Sequence, residues 1–473
     1  MKPMLFAPEL VLLLGSLLLF GITLGRGAGR LARYMALAIG AVAVLFSLAS
    51  IGQQGDLFFD AYRVDLFSQL FKVLLTIGLC VVILIGGELK DIRHEVRAEY
   101  YLFMLISTLG LVMLVSCVEL LTIFIALELS SYSLYLLVPM RGERAGLRAQ
   151  MESAAKYILF GVVATGVMLF GMSYLFGLTG TTYLSELMPR LLPLATEPAA
   201  LVGIAMVMGG FFFKLGVFPF HFWIPDVYQG AANETTAYIA AMPKLGAVAL
   251  LIRIVSLVTP QGEAVTTMLM IFAIGSMFYG NLVALVQKDI KRMLGFSGIA
   301  HAGYVLLGLI TLKDGGFATS VYYITGYVLM TLACFLVICK VSRDGENVAI
   351  EDLSGLHKRA PLLALILAVG MFALAGIPPF VGFMGKFMLL AGALRQGYTL
   401  LVILTAINTA ISIYYYLSVV RVTYTNDPGD RPLVPVDAGT GVVGLALVAA
   451  IIGMGVAPSG FVEFAFQAMR TLF

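Results

Sequence analysis

Residues 211–231 read FFFKLGVFPFHFWIPDVYQGA, and they place Lys214, Gly216, Pro219 and His221 in a run that is otherwise strongly apolar from about residue 201. A segment of this kind crosses a bilayer as a helix. Glycine, proline and a charge interrupt it only where neighbouring protein or water satisfies the freed backbone groups. An ionisable side chain at that depth marks a functional site. The stretch therefore predicts a broken membrane helix beside a site where charge moves.

The whole chain has the composition that such a helix needs. Of 473 residues 60% are hydrophobic and 12% charged, and the mean hydropathy is +0.98. No soluble domain could hydrate such a surface, so the class is an all-α polytopic membrane protein. A bilayer core takes roughly 20 apolar residues per helix, which leaves room for a dozen or more spans and for no long soluble domain. Cys80, Cys117, Cys334 and Cys339 lie in apolar runs without CxxC spacing, which points to helix packing rather than metal or iron–sulfur ligation. Only His221 and His301 lie in or near apolar segments, a poor basis for a haem. The N-terminal apolar run is too long for a signal-peptide core and reads as a retained first helix.

Working outward, hydropathy divides the chain into fourteen segments. They lie near 5–24, 31–51 and 66–85; in 99–140, read as two helices turning near 115–118; near 154–176; in the opening run; and near 235–258, 264–286, 294–312, 318–338, 361–394, 400–420 and 441–456. Loops after odd-numbered segments, with Lys2, Arg26, Arg144 and Arg148 included in the count on one side or the other, hold eighteen lysines and arginines against six on the opposite side. One missed helix would scramble that asymmetry, which predicts both termini outside.

Segments four to eight (99–258) and nine to thirteen (264–423) form two blocks of similar length, after an N-terminal region 1–98 and before a C-terminal region 424–473. In each block the fourth segment is broken: at Gly216 and Pro219 in the first, and at Gly376, Pro378, Pro379 and Gly382 in the second. Five spans reverse the direction of the second copy, so the pattern predicts an inverted repeat whose interrupted helices point to the transport path.

Five ionisable residues within the segments carry the chemistry. Glu128, in ALELSSYSLY, is the deeper acid of segment five, and its natural partner is Lys214. The alternative for this pair is a fixed ion pair that locks two helices. Lys244, directly after Pro243, loses hydration at its depth, which suits it to taking up and releasing protons; Arg253 stays charged and suits snorkelling. His301 sits among small residues in SGIAHAGY, and Lys386 closes the second broken helix. Lys156, Glu119 and His221 are secondary candidates, His221 being read as closer to the membrane edge; Lys72 and Tyr414–Tyr416 are weaker still. No phosphate loop, nucleophile elbow, metal cluster or dinucleotide fingerprint is present. A string of titratable groups fits proton relay better than binding of an organic solute.

These motifs together, KLGVFPFHFWIPDVYQGA, ALELSSYSLY, PKLGA, SGIAHAGY and GIPPFVGFMGKF, resemble the antiporter-like membrane subunits of respiratory complex I, and within them the subunit N family of bacterial NADH-quinone oxidoreductase. The resemblance implies a multi-pass inner-membrane subunit that moves protons with energy from quinone reduction elsewhere. It implies Glu128 and Lys214 as a coupled pair, Lys244 as central relay, His301 as bridge and Lys386 as exit-side site, with no catalytic bond chemistry on this chain. NAD, FMN, iron–sulfur clusters and quinone would belong to partner subunits, and the chain's neighbours would be other antiporter-like and small membrane subunits, with no nucleic acid. No long lateral amphipathic helix is expected after segment fourteen. The sequence departs from the family where Ala232, Asn233, Glu234 and Thr235 replace a proline-containing stretch, so the start of segment eight is expected to differ. A multisubunit cation/proton antiporter, a ferredoxin- or hydrogenase-linked complex, and an assembly subunit with purely structural charges are the alternatives.

Overall fold

A computed structural model describes residues 3–25, 29–143, 149–194, 197–256 and 263–472. Lys2, Arg26, Arg144 and Arg148 of the charge count, and the end of segment eight beyond 256, lie outside them. The helices are α1 (Ala7–Thr23), α2 (Gly29–Ala49), α3 (Leu66–Gly86), α4 (Arg97–Leu114), α5 (Leu120–Leu137), α6 (Ala149–Thr179), α7 (Leu184–Leu191), α8 (Pro198–Leu215), α9 (Trp223–Gly230) and α10 (Asn233–Val255). They continue as α11 (Glu263–Ala284), α12 (Ile290–Ile310), α13 (Asp314–Val341), α14 (Leu356–Arg359), α15 (Pro361–Ala375), α16 (Val381–Arg395), α17 (Thr399–Thr425), α18 (Ala438–Val456) and α19 (Ser459–Met469). A short antiparallel hairpin, β1 (Gly55–Leu57) with β2 (Tyr62–Val64), joins α2 to α3.

Thirteen of the described helices are long and apolar enough to cross a membrane. The remaining segment, 361–394, is split into α15 and α16, each of 15 residues. The 42-residue run was correctly divided, since α4 ends at Leu114 and α5 begins at Leu120. Elements not expected from hydropathy include the hairpin, α7, an 8-residue helix after segment six, and α19, an 11-residue helix after segment fourteen. All are too short to register as spans. The α19 helix packs Phe461 against Tyr322 of α13, with ring centroids 6.0 Å apart.

Local chemistry sets the helix ends. Acidic side chains cap four starts, where free N–H groups and the dipole favour an anion. Ser68 N donates to Asp65 at 2.7 Å, Thr122 N to Glu119 at 2.7 Å, Arg292 N to Asp289 at 2.9 Å and Thr440 N to Asp437 at 2.9 Å. The Thr440 hydroxyl, its backbone N–H and Lys340 together hold the Asp437 carboxyl well below the usual range. Prolines start α8 and α15, where the missing N–H has no partner to lose. Both helices stop at a left-handed glycine, Gly216 with φ 81° and Gly376 with φ 86°. The following amides fold back: Val217 N donates to Phe212 O at 2.9 Å, and Ile377 N to Phe372 O at 3.0 Å.

Loop contacts check the parity of the spans, because loops touch only if they leave the membrane on the same side. Loops after segments three, five, seven and eleven meet at Arg141. Its guanidinium pairs with Asp91 and donates to Gln229 O at 3.0 Å, Gly230 O at 3.2 Å, Ala231 O at 3.3 Å and Gly345 O at 3.2 Å. Asp289 bridges to Ala349, joining the loops after segments nine and eleven. On the other face Tyr62 bridges to Cys117 and Glu119 to Tyr183, while Arg253 pairs with Asp65 at 3.1 Å.

The core is itself helical. The apolar window of α12 is 100% buried and that of α10 94%, against 28% for α6. Helices apolar all round belong inside a bundle, so α10, α12 and neighbouring α13 carry the interior while α1, α2 and α6 present leucine and phenylalanine outward.

Replacing Arg141 by leucine removes the donor for four loop carbonyls and one carboxylate. Loss of such a buried charged partner costs about 3–5 kcal/mol, and Arg141→Leu is expected to lower the melting temperature of the purified complex and its yield of assembled subunit. A lysine at the same position, with one donor centre, recovers only part of the loss.

Candidate functional site

Lys244 and His301 lie on the two most buried helices, Lys214 and Lys386 flank the two helix breaks, and Glu128 lies within α5. Lys214 occupies the last turn of α8, where free carbonyls favour a cation. Its Nζ donates to Ser131 Oγ at 2.8 Å. Ser131 stands on α5 one turn after Glu128, whose Oε1 accepts from Thr165 Oγ1 at 2.9 Å. Glu128 acts electrostatically on Lys214, yet the direct ion pair expected from the sequence is absent among the described residues. Lys214 is held instead by the Ser131 hydroxyl, which itself donates to Leu127 O at 2.8 Å. Across the break, Trp223 Nε1 donates to Phe213 O at 3.0 Å, using one of the carbonyls freed at the end of α8.

Lys244 projects from α10 into the interface with α12 and α13. Its Nζ donates to Gly298 O at 3.0 Å and to the Tyr327 hydroxyl at 3.1 Å, and lies 4.8 Å from the Tyr327 ring centre. The Tyr327 ring is 5.0 Å from the imidazole of His301. His301 is held at both nitrogens: Nδ1 is 2.7 Å from the Tyr323 hydroxyl and Nε2 is 3.1 Å from the Tyr416 hydroxyl, which also bonds Ser297 at 2.6 Å. Lys386 of α16 turns back to the end of α15 and donates to Leu374 O at 3.0 Å and Ala375 O at 3.1 Å. It also lies 4.8 Å from the Tyr304 ring centre. The second half of the broken helix thus caps the first.

Hydrogen bonds and ring contacts of Tyr327, Tyr323 and Tyr304 therefore link Lys244, His301 and Lys386 in one string. Among the described residues, the hydrogen-bond partners of Lys214, Lys244 and Lys386 are hydroxyls and carbonyls. A lysine pinned by a carboxylate is a fixed charge. One held by neutral acceptors keeps a hydrogen bond whether it is the ammonium or the amine, so it can change protonation without losing its place.

The secondary candidates have other surroundings. Lys156 pairs with Glu152 at 2.7 Å and Asp226 at 2.8 Å, and Arg292 adds a bond to Asp226 at 2.9 Å, so this partly exposed cluster ties α6, α9 and α12. Glu119 caps α5. His221 is buried in the break between α8 and α9, its ring 4.4 Å from that of Tyr279. Lys72 has a carboxylate partner, Glu9, at 2.6 Å, and Glu9 also accepts from Tyr62 at 2.5 Å. Sequence reading passed over Glu9, Ser131, Thr165, Tyr323 and Tyr327. Tyr323 and Tyr327 stand four apart in YYITGY, a spacing that puts both phenols on one helix face and could have marked them.

Residues 117–412 match the family described as NADH:quinone oxidoreductase/Mrp antiporter, transmembrane. The chain belongs to this family. The matched stretch contains all five relay candidates, from Glu128 to Lys386, whereas the Glu9–Lys72 pair lies outside it. NADH-quinone oxidoreductase subunit N 2 of Opitutus terrae is 53% identical over 99% of this chain and 98% of its own length. The protein of the same name from Solidesulfovibrio magneticus is 47% identical over 93% of this chain and 92% of its own length. A chain of respiratory complex I from Thermus thermophilus superposes with a TM-score of 0.83 at 30% identity, covering 96% of this chain and 98% of the other. A chain of the Mrp complex from Dietzia shares the fold, with a TM-score of 0.88 at 19% identity over 100% of this chain and 98% of the other.

In this family member Ser131→Ala removes the hydroxyl that holds Lys214. A hydrogen bond to a charged group contributes about 1.5–3 kcal/mol, so coupled turnover of the complex is expected to fall roughly tenfold. Assembly, followed by native gel, should be unchanged, and Ser131→Thr should retain most of the rate.

Proposed function

We propose that this chain is the proton-translocating subunit N of a bacterial NADH:quinone oxidoreductase, an integral part of a redox-driven translocase. The observation that carries the reading is the buried string from Lys244 through Tyr327 and His301 to Lys386, built of titratable groups held by neutral partners. Such a string has no use in binding an organic solute. It suits a proton that moves by short transfers between neighbouring groups.

In this reading Glu128 and Lys214 act as a coupled pair through Ser131. Protonation of one member shifts the proton affinity of the other, and charge movement at Lys214 then acts on Lys244. His301 bridges the two halves between Tyr323 and Tyr416, and Lys386 is the site nearest the exit. Energy comes from quinone reduction in partner subunits, which hold NAD, FMN, iron–sulfur clusters and quinone; this chain supplies none of that chemistry. The two blocks around the Gly216 and Gly376 breaks form an inverted repeat, for which the shared helix–glycine–helix form of both breaks is support. The protein sits in the bacterial inner membrane with both termini on the periplasmic side, a reading that rests on the lysine and arginine excess of the odd-numbered loops.

Complexes carrying Lys214→Ala or Lys244→Ala should assemble and still reduce quinone, with turnover and proton-to-electron ratio both lowered, by tenfold or more in rate for Lys244→Ala. Proton uptake by inverted membrane vesicles, read with a fluorescent ΔpH probe beside NADH oxidation, measures both. Normal pumping by both variants would sink the relay.

A further inference from the structure

The relay leaves one buried acid unused. On the face of the odd-numbered loops a partly open cavity of about 370 Å³ is lined by Arg33, Gly86, Lys90, Glu234, Lys340 and Asp437, among others. Glu234 is the second residue of α10 and only 3% exposed. Its Oε2 has no hydrogen-bond partner among the described residues. Gly86 gives it room, since a Cβ there would stand 3.3 Å from Glu234 Cγ. Lys291, Arg141 and Asp91 act on Glu234 electrostatically, but both cations are engaged elsewhere: Lys291 donates to Ala231 O at 2.8 Å, and Arg141 pairs with Asp91. A buried carboxylate that lines a cavity and keeps one oxygen without a partner is costly to retain as mere packing.

Inward from Glu234 runs a row of hydroxyls. Thr235 Oγ1 donates to the Tyr100 hydroxyl at 3.4 Å. Deeper in the same interface of α10 with α4, the Tyr238 hydroxyl bonds Thr108 at 2.8 Å. On the other side of α4, Ser107 bonds Ser130 of α5 at 3.0 Å. Ser130 adjoins Ser131, which holds Lys214. Hydroxyls both donate and accept, so each can take one proton and release another.

We propose that this cavity is the intake for protons from the odd-loop face, and that Glu234 on its wall takes up each proton and passes it along the hydroxyl row toward Lys214. The carboxylate gains a proton from water in the cavity and becomes the neutral acid. Transfer along the row returns the carboxylate and converts the Lys214 amine to the ammonium. This assignment rests on the relay reading of Lys214 and Lys244.

The test uses the assembled complex in membrane vesicles. Glu234→Gln, which keeps shape and loses the proton site, should lower coupled turnover and proton uptake about tenfold, while Glu234→Asp keeps at least half. Tyr238→Phe should slow both several-fold. Glu234→Ala enlarges the cavity, and added formate should restore its turnover where the same concentration of chloride does not; a merely structural glutamate would not respond to a small acid. Wild-type pumping by Glu234→Gln, or a Glu234→Ala defect that formate leaves untouched, overturns the intake. Lys244→Ala measured in parallel separates the two readings: its normal pumping overturns the relay itself, whereas a slow Lys244→Ala beside a normal Glu234→Gln overturns the intake alone.

Discussion

Lysine side chains inside a bilayer must be solvated by protein, and the rest of this structure follows from how that is done. A charged group at the centre of a helix costs at least about 3 kcal/mol in hydrocarbon. Three lysines find the carbonyls and hydroxyls they need because helices have been interrupted or packed to offer them. Lys386 uses the two carbonyls left free where α15 ends. Lys244 uses a carbonyl of α12 and a phenol of α13. Lys214 stands at the carbonyl end of α8 and donates to a serine of α5. Each ammonium is stabilised without a touching carboxylate, which leaves it free to lose its proton.

The breaks at Gly216 and Gly376 are thus more than interruptions. A continuous helix would consume its own carbonyls and leave none for a side chain. A helix ended by a left-handed glycine exposes them at mid-membrane, where Trp223 takes one in the first break and Lys386 takes two in the second. Burial around them is nearly complete, so water reaches the string only where polar walls admit it. The fixed charges lie elsewhere: Glu9 with Lys72, Asp65 with Arg253 and Asp91 with Arg141 each hold an element in place. Arg141 in particular gathers loops that are far apart in sequence and fixes the depth at which α9, α10 and α13 meet. Paired charges build the frame, and lysines with neutral partners occupy the path.

Much of the arrangement could be read from single residues. Lys214, Lys244, His301 and Lys386 were conspicuous because each is polar in an apolar run, and the Gly/Pro clusters beside two of them announced the breaks. The partners were not legible. Tyr323, Tyr327 and Ser131 are common residues in membrane helices, and nothing local distinguishes a phenol that faces His301 from one that packs against a neighbour. Glu9 was missed although it too is polar in an apolar run, because it lies near the start of the first helix, where a charge usually reaches the surface. The hairpin and α19 were missed because both are short and amphipathic.

By itself the sequence determined the solvent, the number of spans, the position of both breaks and the identity of the buried cations. Each of these follows from local composition: hydropathy counts helices, and glycine with proline ends them. Only the tertiary structure decided what touches what. It put Ser131 against Lys214, set Tyr327 between Lys244 and His301, buried His221 in the break and gave Glu234 a cavity. The Ser131–Lys214 and Lys244–Tyr327 contacts each join residues 83 positions apart. They depend on helix rotation and depth, which packing across the whole bundle fixes and no local pattern encodes.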